Sequence, residues 1–142
     1  MSSTDLFSVE ENAKQWFAQY ATAFIELASS GETVPTPLLA YFAVPLTMTT
    51  STAHLTISTT EQLAAALGQE LLALTEADYG GSQALDQVVR VLNERSVLIE
   101  ATWARYNRAG GEFQRVRLLY LVARTAEGWR TTAVSMVEGE PR

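Results

Sequence analysis

From Gln83 onward the chain alternates apolar and polar residues through four segments separated by short, turn-rich links. They run at about Leu85–Leu92, Val97–Asn107, Phe113–Arg124 and Trp129–Val137. The links are Asn93–Ser96, Ala109-Gly110-Gly111 and Glu127-Gly128. A period of two marks strands with two distinct faces, and links this short join neighbours antiparallel. This half therefore predicts a four-stranded antiparallel meander. Whatever precedes it must cover one of its faces.

Alternation sorts those faces. Val97, Ile99, Ala101 and Trp103 share one with Val116, Leu118, Tyr120 and Val122, and a turn at Glu127-Gly128 adds Ala133, Ser135 and Val137. The opposite face takes Leu98, Glu100, Thr102, Ala104 and Tyr106 with Arg115, Arg117, Leu119 and Leu121, then Thr132, Val134 and Met136. The first face is nearly all apolar and is where helices are expected. The second is too apolar for water, because a sheet covered on one side only should be polar on the other. Leu119, Leu121, Val134 and Met136 thus predict a partner on the outer face, a two-fold homodimer being the simplest.

The helices come first in the chain. Ser8 and Glu11 have the spacing of a capping box, and Ala13, Trp16, Phe17, Tyr20, Ala23, Phe24, Leu27 and Ala28 follow at helical intervals. Ser29-Ser30-Gly31 ends that helix. A short second helix is expected from Thr36 (cap) and Pro37 through Leu38, Leu39, Tyr41 and Phe42, stopped by Pro45. The threonine-rich stretch from Leu46 to Thr60 alternates Leu46, Met48 and then Leu55, Ile57, so it reads as a hairpin turning at Ser51-Thr52. Ser58 and Glu61 repeat the capping-box spacing ahead of a third helix to about Tyr79. Its face is Leu63, Leu67, Leu71 and Leu74, with Gly68 as a candidate kink and Gly80-Gly81 as its stop.

Composition narrows function by exclusion. The 142 residues suit one domain, read here as 1–142 with a core at about 8–138. Ten Lys+Arg against sixteen Asp+Glu leave a charge of −6, the wrong sign for a general nucleic-acid footprint. No cysteine and one histidine argue against disulfides, cysteine catalysis and a transition-metal site, and no cofactor is expected. No apolar run reaches the roughly 20 residues that cross a bilayer, and the start, MSSTDLFSVEEN, lacks the marks of a secretory signal. A cytoplasmic protein without membrane or nucleic-acid partners is the expectation.

The order of long helix, short helix, hairpin, third helix and meander resembles the nuclear transport factor 2-like superfamily over roughly Glu10 to Val137. The pieces that carry the resemblance are WFAQYATAF on the first helix, PLLAYF before a strand, and EGWRTTAVSM closing the meander. It implies an α+β, cone-shaped, cystatin-like fold with three helices on a curved antiparallel sheet, enclosing an apolar pocket and often dimerising through the outer sheet face. The superfamily includes ketosteroid isomerase, SnoaL-like polyketide cyclases, scytalone dehydratase and limonene epoxide hydrolase, so fold alone leaves function open. The isomerase set is not supported. The hairpin LTMTTSTAHLTIST holds no Asp or Glu, and no carboxylic acid stands at Leu119 or Tyr120. Tyr20 does lie on the first helix, which in that family carries the oxyanion tyrosine. The residue patterns of epoxide hydrolysis and of dehydratases or cyclases are not recognisable either.

The candidate residues follow. Trp16, Tyr20, Phe24, Tyr41, Trp103 and Tyr120 are the aromatics expected around a cavity, with Tyr20, Tyr120 and Ser135 as hydroxyl contacts to a ligand; ordinary core packing is the alternative. His54 is either a general base facing the pocket or a solvated hairpin residue. Glu100 is either a pKa-shifted acid or base, or the ion-pair partner of Arg115 or Arg117 on the outer face. Arg90 would reach the pocket mouth if the first meander turn has the simple register. The leading expectation is a homodimer that binds a small apolar ligand between helices and sheet. The alternative is an isomerase, dehydratase or cyclase of the SnoaL-like or ketosteroid isomerase-like kind, with a non-standard catalytic set. A protein-interaction module with a filled pocket is a third.

Overall fold

The computed structural model describes residues 3–138. Along the chain run α1 (Ser3–Ser29), a 3-10 helix (Thr36–Tyr41), β1 (Phe42–Thr49), β2 (His54–Ile57), α2 (Thr60–Glu76), β3 (Tyr79–Asn93), β4 (Ser96–Asn107), β5 (Glu112–Thr125) and β6 (Gly128–Met136). The six strands form one curved, unclosed sheet in the order β2-β1-β6-β5-β4-β3. The expected hairpin and meander are both present. What alternation could not supply is their junction: β1 lies parallel to β6, pairing Met48 with Val134 and Thr49 with Ser135. The sheet is therefore mixed rather than wholly antiparallel.

The helices bury the faces that their periodicity marks. On α1, Val9, Ala13 and Phe17 recur every four residues and are buried, which extends the apolar stripe one turn upstream of the expected start. Ser8 is accordingly an exposed residue inside α1, not its cap. On α2 all four expected leucines, Leu63, Leu67, Leu71 and Leu74, are buried. Its cap is Thr59, one residue beyond the Ser58 expected. The Gln62 N–H donates to Thr59 Oγ1 at 3.1 Å, and Gln62 Oε1 accepts from the Ser58 N–H at 2.7 Å.

Other boundaries shift for identifiable reasons. The second helix is a 3-10 segment preceded by Pro35, without a side-chain cap from Thr36, and it ends at Tyr41 because Phe42 is already extended. Pro45 then sits inside β1 rather than stopping a helix. Asp78, at φ 58, reverses the chain after α2, so Gly80-Gly81 open β3 instead of ending the helix. Gly80 has its own reason to be glycine: a Cβ there would lie 2.9 Å from the Asn107 carbonyl oxygen and 3.0 Å from the Arg108 nitrogen. Gly68 likewise faces the Thr33 carbonyl, 3.3 Å from an added Cβ.

The register settles the faces. Val97 pairs with Val122, Ile99 with Tyr120, Ala101 with Leu118 and Trp103 with Val116, as alternation requires. On β6 a bulge breaks the count: Val122 pairs with Thr131 but Leu121 with Ala133, leaving Thr132 as the extra residue. Beyond it every side chain changes face. Val134 and Met136 turn inward beside Tyr120 and Leu118, and Ala133 and Ser135 turn outward, the reverse of the expected assignment. A second bulge, at Leu92, pairs Arg90 with Leu98 and so puts Arg90 on the outer face, away from the pocket mouth. The core lies between the inner face and the two α-helices, where Phe17, Leu63 and Leu67 meet Ile99, Val97, Tyr120 and Val122. A smaller cluster joins Ala28, Leu71, Leu74 and Tyr79.

Candidate functional site

Between α1, α2 and the inner sheet face is a cavity of about 530 Å³. Tyr20 and Phe24 of α1, Phe42, Leu46 and Met48 of β1, and Leu63, Ala66 and Leu67 of α2 form one side. Trp103, Val116, Leu118, Tyr120, Val134 and Met136 form the sheet side. The β5 residues that line it run from Tyr120 to Phe113, a backbone span of roughly 23 Å at the usual strand rise.

Two groups of polar atoms interrupt this apolar wall. The first is the tyrosine pair. The Tyr20 and Tyr120 rings are 6.2 Å apart in an edge-on arrangement, and Phe17 packs against Tyr120 at 4.9 Å. Burial pushes both phenols above the ordinary tyrosine pKa, and the Glu70 carboxylate adds to this in each case. Arg105 acts in the opposite sense on both. Both hydroxyls are therefore neutral, proton-bearing donors across the physiological range.

The second group is built around Arg105, at the far end of the same inner row of β4. Its Nη2 donates to Glu70 Oε1 at 3.1 Å and its Nη1 to Gln114 Oε1 at 3.0 Å. The guanidinium also lies 5.8 Å from the Phe24 ring centroid. All four of these residues line the cavity. Each is where simple periodicity puts it. Arg105 continues the row Val97, Ile99, Ala101, Trp103, and Gln114 is its register partner on β5. Glu70 continues the row Leu63, Leu67 and precedes Leu74 by four, so a carboxylate interrupts an otherwise leucine stripe. A polar or charged residue in phase with an apolar face was the signal that could have found them. Rows confined to apolar residues end at Trp103 on β4 and Val116 on β5 and pass over Glu70 on α2, so they leave out all three.

Of the residues expected at the site, Tyr20, Phe24, Trp103 and Tyr120 line the cavity. Trp16 and Tyr41 stand behind it, in an aromatic cluster with Tyr20 at ring separations of 6.5 and 5.5 Å. Ser135 lies on the outer face because of the β6 bulge, 2.7 Å from the Thr49 hydroxyl. His54 is exposed at the start of the edge strand β2. Glu100 is on the outer face in an ion pair with Arg117, while Arg115 pairs instead with Glu112 at 2.8 Å. Among the described residues no three His, Asp or Glu side chains group as metal ligands. No helix among them is long and apolar enough to cross a membrane.

The family model described as NTF2-like protein (DUF6841) matches residues 10–139. The chain belongs to this NTF2-like family. No curated protein sequence matches it. Solved structures of similar fold include a Nostoc punctiforme domain of unknown function with a cystatin-like fold, at TM-score 0.65 and 14% identity over 99% of this chain and 81% of that one. An NTF2-like protein from Novosphingobium aromaticivorans matches at TM-score 0.64 and 18% identity, covering 95% of this chain and 86% of that one. A third, from the same organism and provisionally named a scytalone dehydratase, matches at TM-score 0.65 and 10% identity over 99% and 94% of the two chains. At these identities the likeness is one of fold.

Proposed function

We propose that this NTF2-like protein binds a small, largely apolar molecule in the cavity between its helices and sheet, and that it does so as a homodimer joined through the outer sheet face. The cavity carries the first part. Its volume of about 530 Å³ falls within the few hundred to about a thousand cubic ångströms usual for small-molecule sites. Its composition, an apolar wall with a few converging polar groups, has the same character. Tyr20 and Tyr120 offer two protonated hydroxyls to an acceptor such as a carbonyl oxygen. Filling the cavity tests this directly. N-phenylnaphthylamine, a neutral fluorescent probe, should bind saturably at one per chain, and Ala66→Trp, which projects an indole from the α2 wall, should abolish that binding while the fold is retained. A probe that binds the variant as well as the wild type is bound elsewhere, and the reading fails.

The dimer reading rests on rows that cross the outer face. Leu98, Leu121 and Ala133 are register partners on three adjacent strands, and Leu119 lies one pleat along on the same face. An isologous pair would bury these rows against their own copies. Sedimentation equilibrium should give a dimer that Leu121→Glu converts to monomer. A wild-type monomer at micromolar concentration would refute it.

One observation favours a catalytic variant of the same reading: Glu70 places a carboxylate on the wall of a cavity that also holds two tyrosine hydroxyls. An isomerase, dehydratase or cyclase with that set would lose turnover in Glu70→Gln and keep it in His54→Ala and Glu100→Gln, whose side chains do not line the cavity.

A further inference from the structure

We propose that the ligand of this cavity carries a carboxylate, which binds Arg105 by taking the place of Glu70. The inference rests on the reading that the cavity binds a small molecule, and it names that molecule's head group.

The two members of the Arg105–Glu70 pair are held very differently. The Arg105 side chain is 10% exposed and the Glu70 side chain 38%. Arg105 stands near the end of β4, flanked by β3 and β5, and is fixed on three sides by Glu70, Gln114 and the Phe24 ring. Glu70 stands on α2 at the wet edge of the cavity, and among the described residues Arg105 is its only ion-pair partner. A buried cation cannot give up its counter-charge without a replacement, because an unpaired charge in a poorly hydrated site is strongly disfavoured. A half-exposed carboxylate can turn into water at little loss. The pair is thus asymmetric: Arg105 is the fixed element and Glu70 the exchangeable one.

What replaces Glu70 must repeat its chemistry. Only two of the five guanidinium N–H donors are engaged by side chains of the described residues. The planar fork suits a carboxylate held by two parallel bonds, a stronger arrangement than the single contact that Glu70 makes. The rest of the cavity wall supplies the apolar body's surroundings, from Val116 and Leu118 towards Tyr120. The charge arithmetic agrees. Arg105 and Glu70 cancel, so a carboxylate added beside both would leave the site at −1 in a chain already at −6; a carboxylate that displaces Glu70 leaves the cation's environment neutral.

Matched probes test this by calorimetry: naphthoate against its neutral analogue naphthalenemethanol, with wild type, Glu70→Gln and Arg105→Met. Naphthoate should bind wild type more tightly than the alcohol does. Glu70→Gln, which removes the competing charge but keeps the shape, should tighten naphthoate by roughly tenfold, as expected when a charge-assisted bond is freed for the ligand, and leave the alcohol within about twofold. Arg105→Met should lose naphthoate and retain the alcohol. Equal binding of the two compounds to wild type, with naphthoate unchanged in Glu70→Gln, would overturn the carboxylate inference while leaving the cavity reading intact. If neither compound nor the neutral fluorescent probe binds any of the three proteins, both fail together.

Discussion

Removing Arg105 should leave the protein nearly as stable as before, whereas removing Glu70 should not. The two side chains are 3.1 Å apart. At an effective dielectric of about 20 their attraction is about 5 kcal/mol. Against this stands the desolvation of the guanidinium, itself several kcal/mol. The two terms nearly cancel, and Met in place of Arg105 puts an apolar chain of similar length into an apolar wall. Glu70, set free, is exposed enough to hydrate. Arg105→Met should therefore change stability by no more than about 1 kcal/mol in either direction. Glu70→Met is the opposite case. It leaves a buried guanidinium with only Gln114 and the Phe24 ring. The 3–5 kcal/mol typical of a broken buried pair shrinks here, because Gln114 remains and the cavity admits water, to about 2 kcal/mol. For a chain of 142 residues the unfolding entropy makes 1 kcal/mol worth about 3 °C in Tm. Differential scanning calorimetry should thus find Arg105→Met within about 3 °C of wild type and Glu70→Met about 6 °C below it. The double variant should recover most of that loss, since it removes the orphaned charge. If Arg105→Met is the more damaging single change, the pair is an ordinary stabilising ion pair; if the two effects simply add, the two charges are not coupled. Either result would refute the asymmetry argument.

Leu71 is fully buried between Ala28, Leu74 and Tyr79, so Leu71→Ala should lower the unfolding free energy by about 3 kcal/mol in urea titration, within the usual range for such truncations. Tyr20 and Tyr120 have folded-state pKa values above their unfolded values, so the unfolded chain releases its phenolic protons first. Their contribution is fully present below about pH 10 and is lost as pH rises beyond it. Tm should fall as pH rises above about 10, and less steeply in the Tyr20→Phe, Tyr120→Phe double variant; parallel slopes would show that other groups govern alkaline unfolding. Gly80→Ala should destabilise the protein by about 1–3 kcal/mol, because the new Cβ meets the Asn107–Arg108 backbone rather than a movable side chain. An unchanged urea midpoint would show that β3 can shift to admit it.

Most of the architecture was legible because it follows from local period. Leu63, Leu67, Leu71 and Leu74 repeat with a helix, and Ile99, Trp103, Tyr120 and Val122 with strands, so each element and its buried side can be read from neighbours a few residues apart. The errors arose where one residue more or less changes the answer. A single extra residue at Thr132 moved Ser135 out of the cavity wall and brought Val134 and Met136 into it, and another at Leu92 turned Arg90 away. Alternation carries a face assignment forward only until the first bulge, and nothing in the local composition of Arg130–Ser135 announces one.

The site divides along the same line. Tyr20, Phe24, Trp103 and Tyr120 were recognisable as residues facing the cavity, since each belongs to a periodic apolar row. That Arg105 meets Glu70 was not. They are 35 positions apart, one near the end of a strand and the other within a helix, and each taken alone is a charged residue in phase with an apolar row. Sequence by itself determined the helices, the strands, the meander and the inner row of the sheet, because those depend on residues close along the chain. Tertiary structure alone decided which charges share the cavity, that β1 runs parallel to β6, and which side of β6 faces inward. Those outcomes depend on how distant segments come together, and a buried cation only acquires its meaning from the groups packed around it.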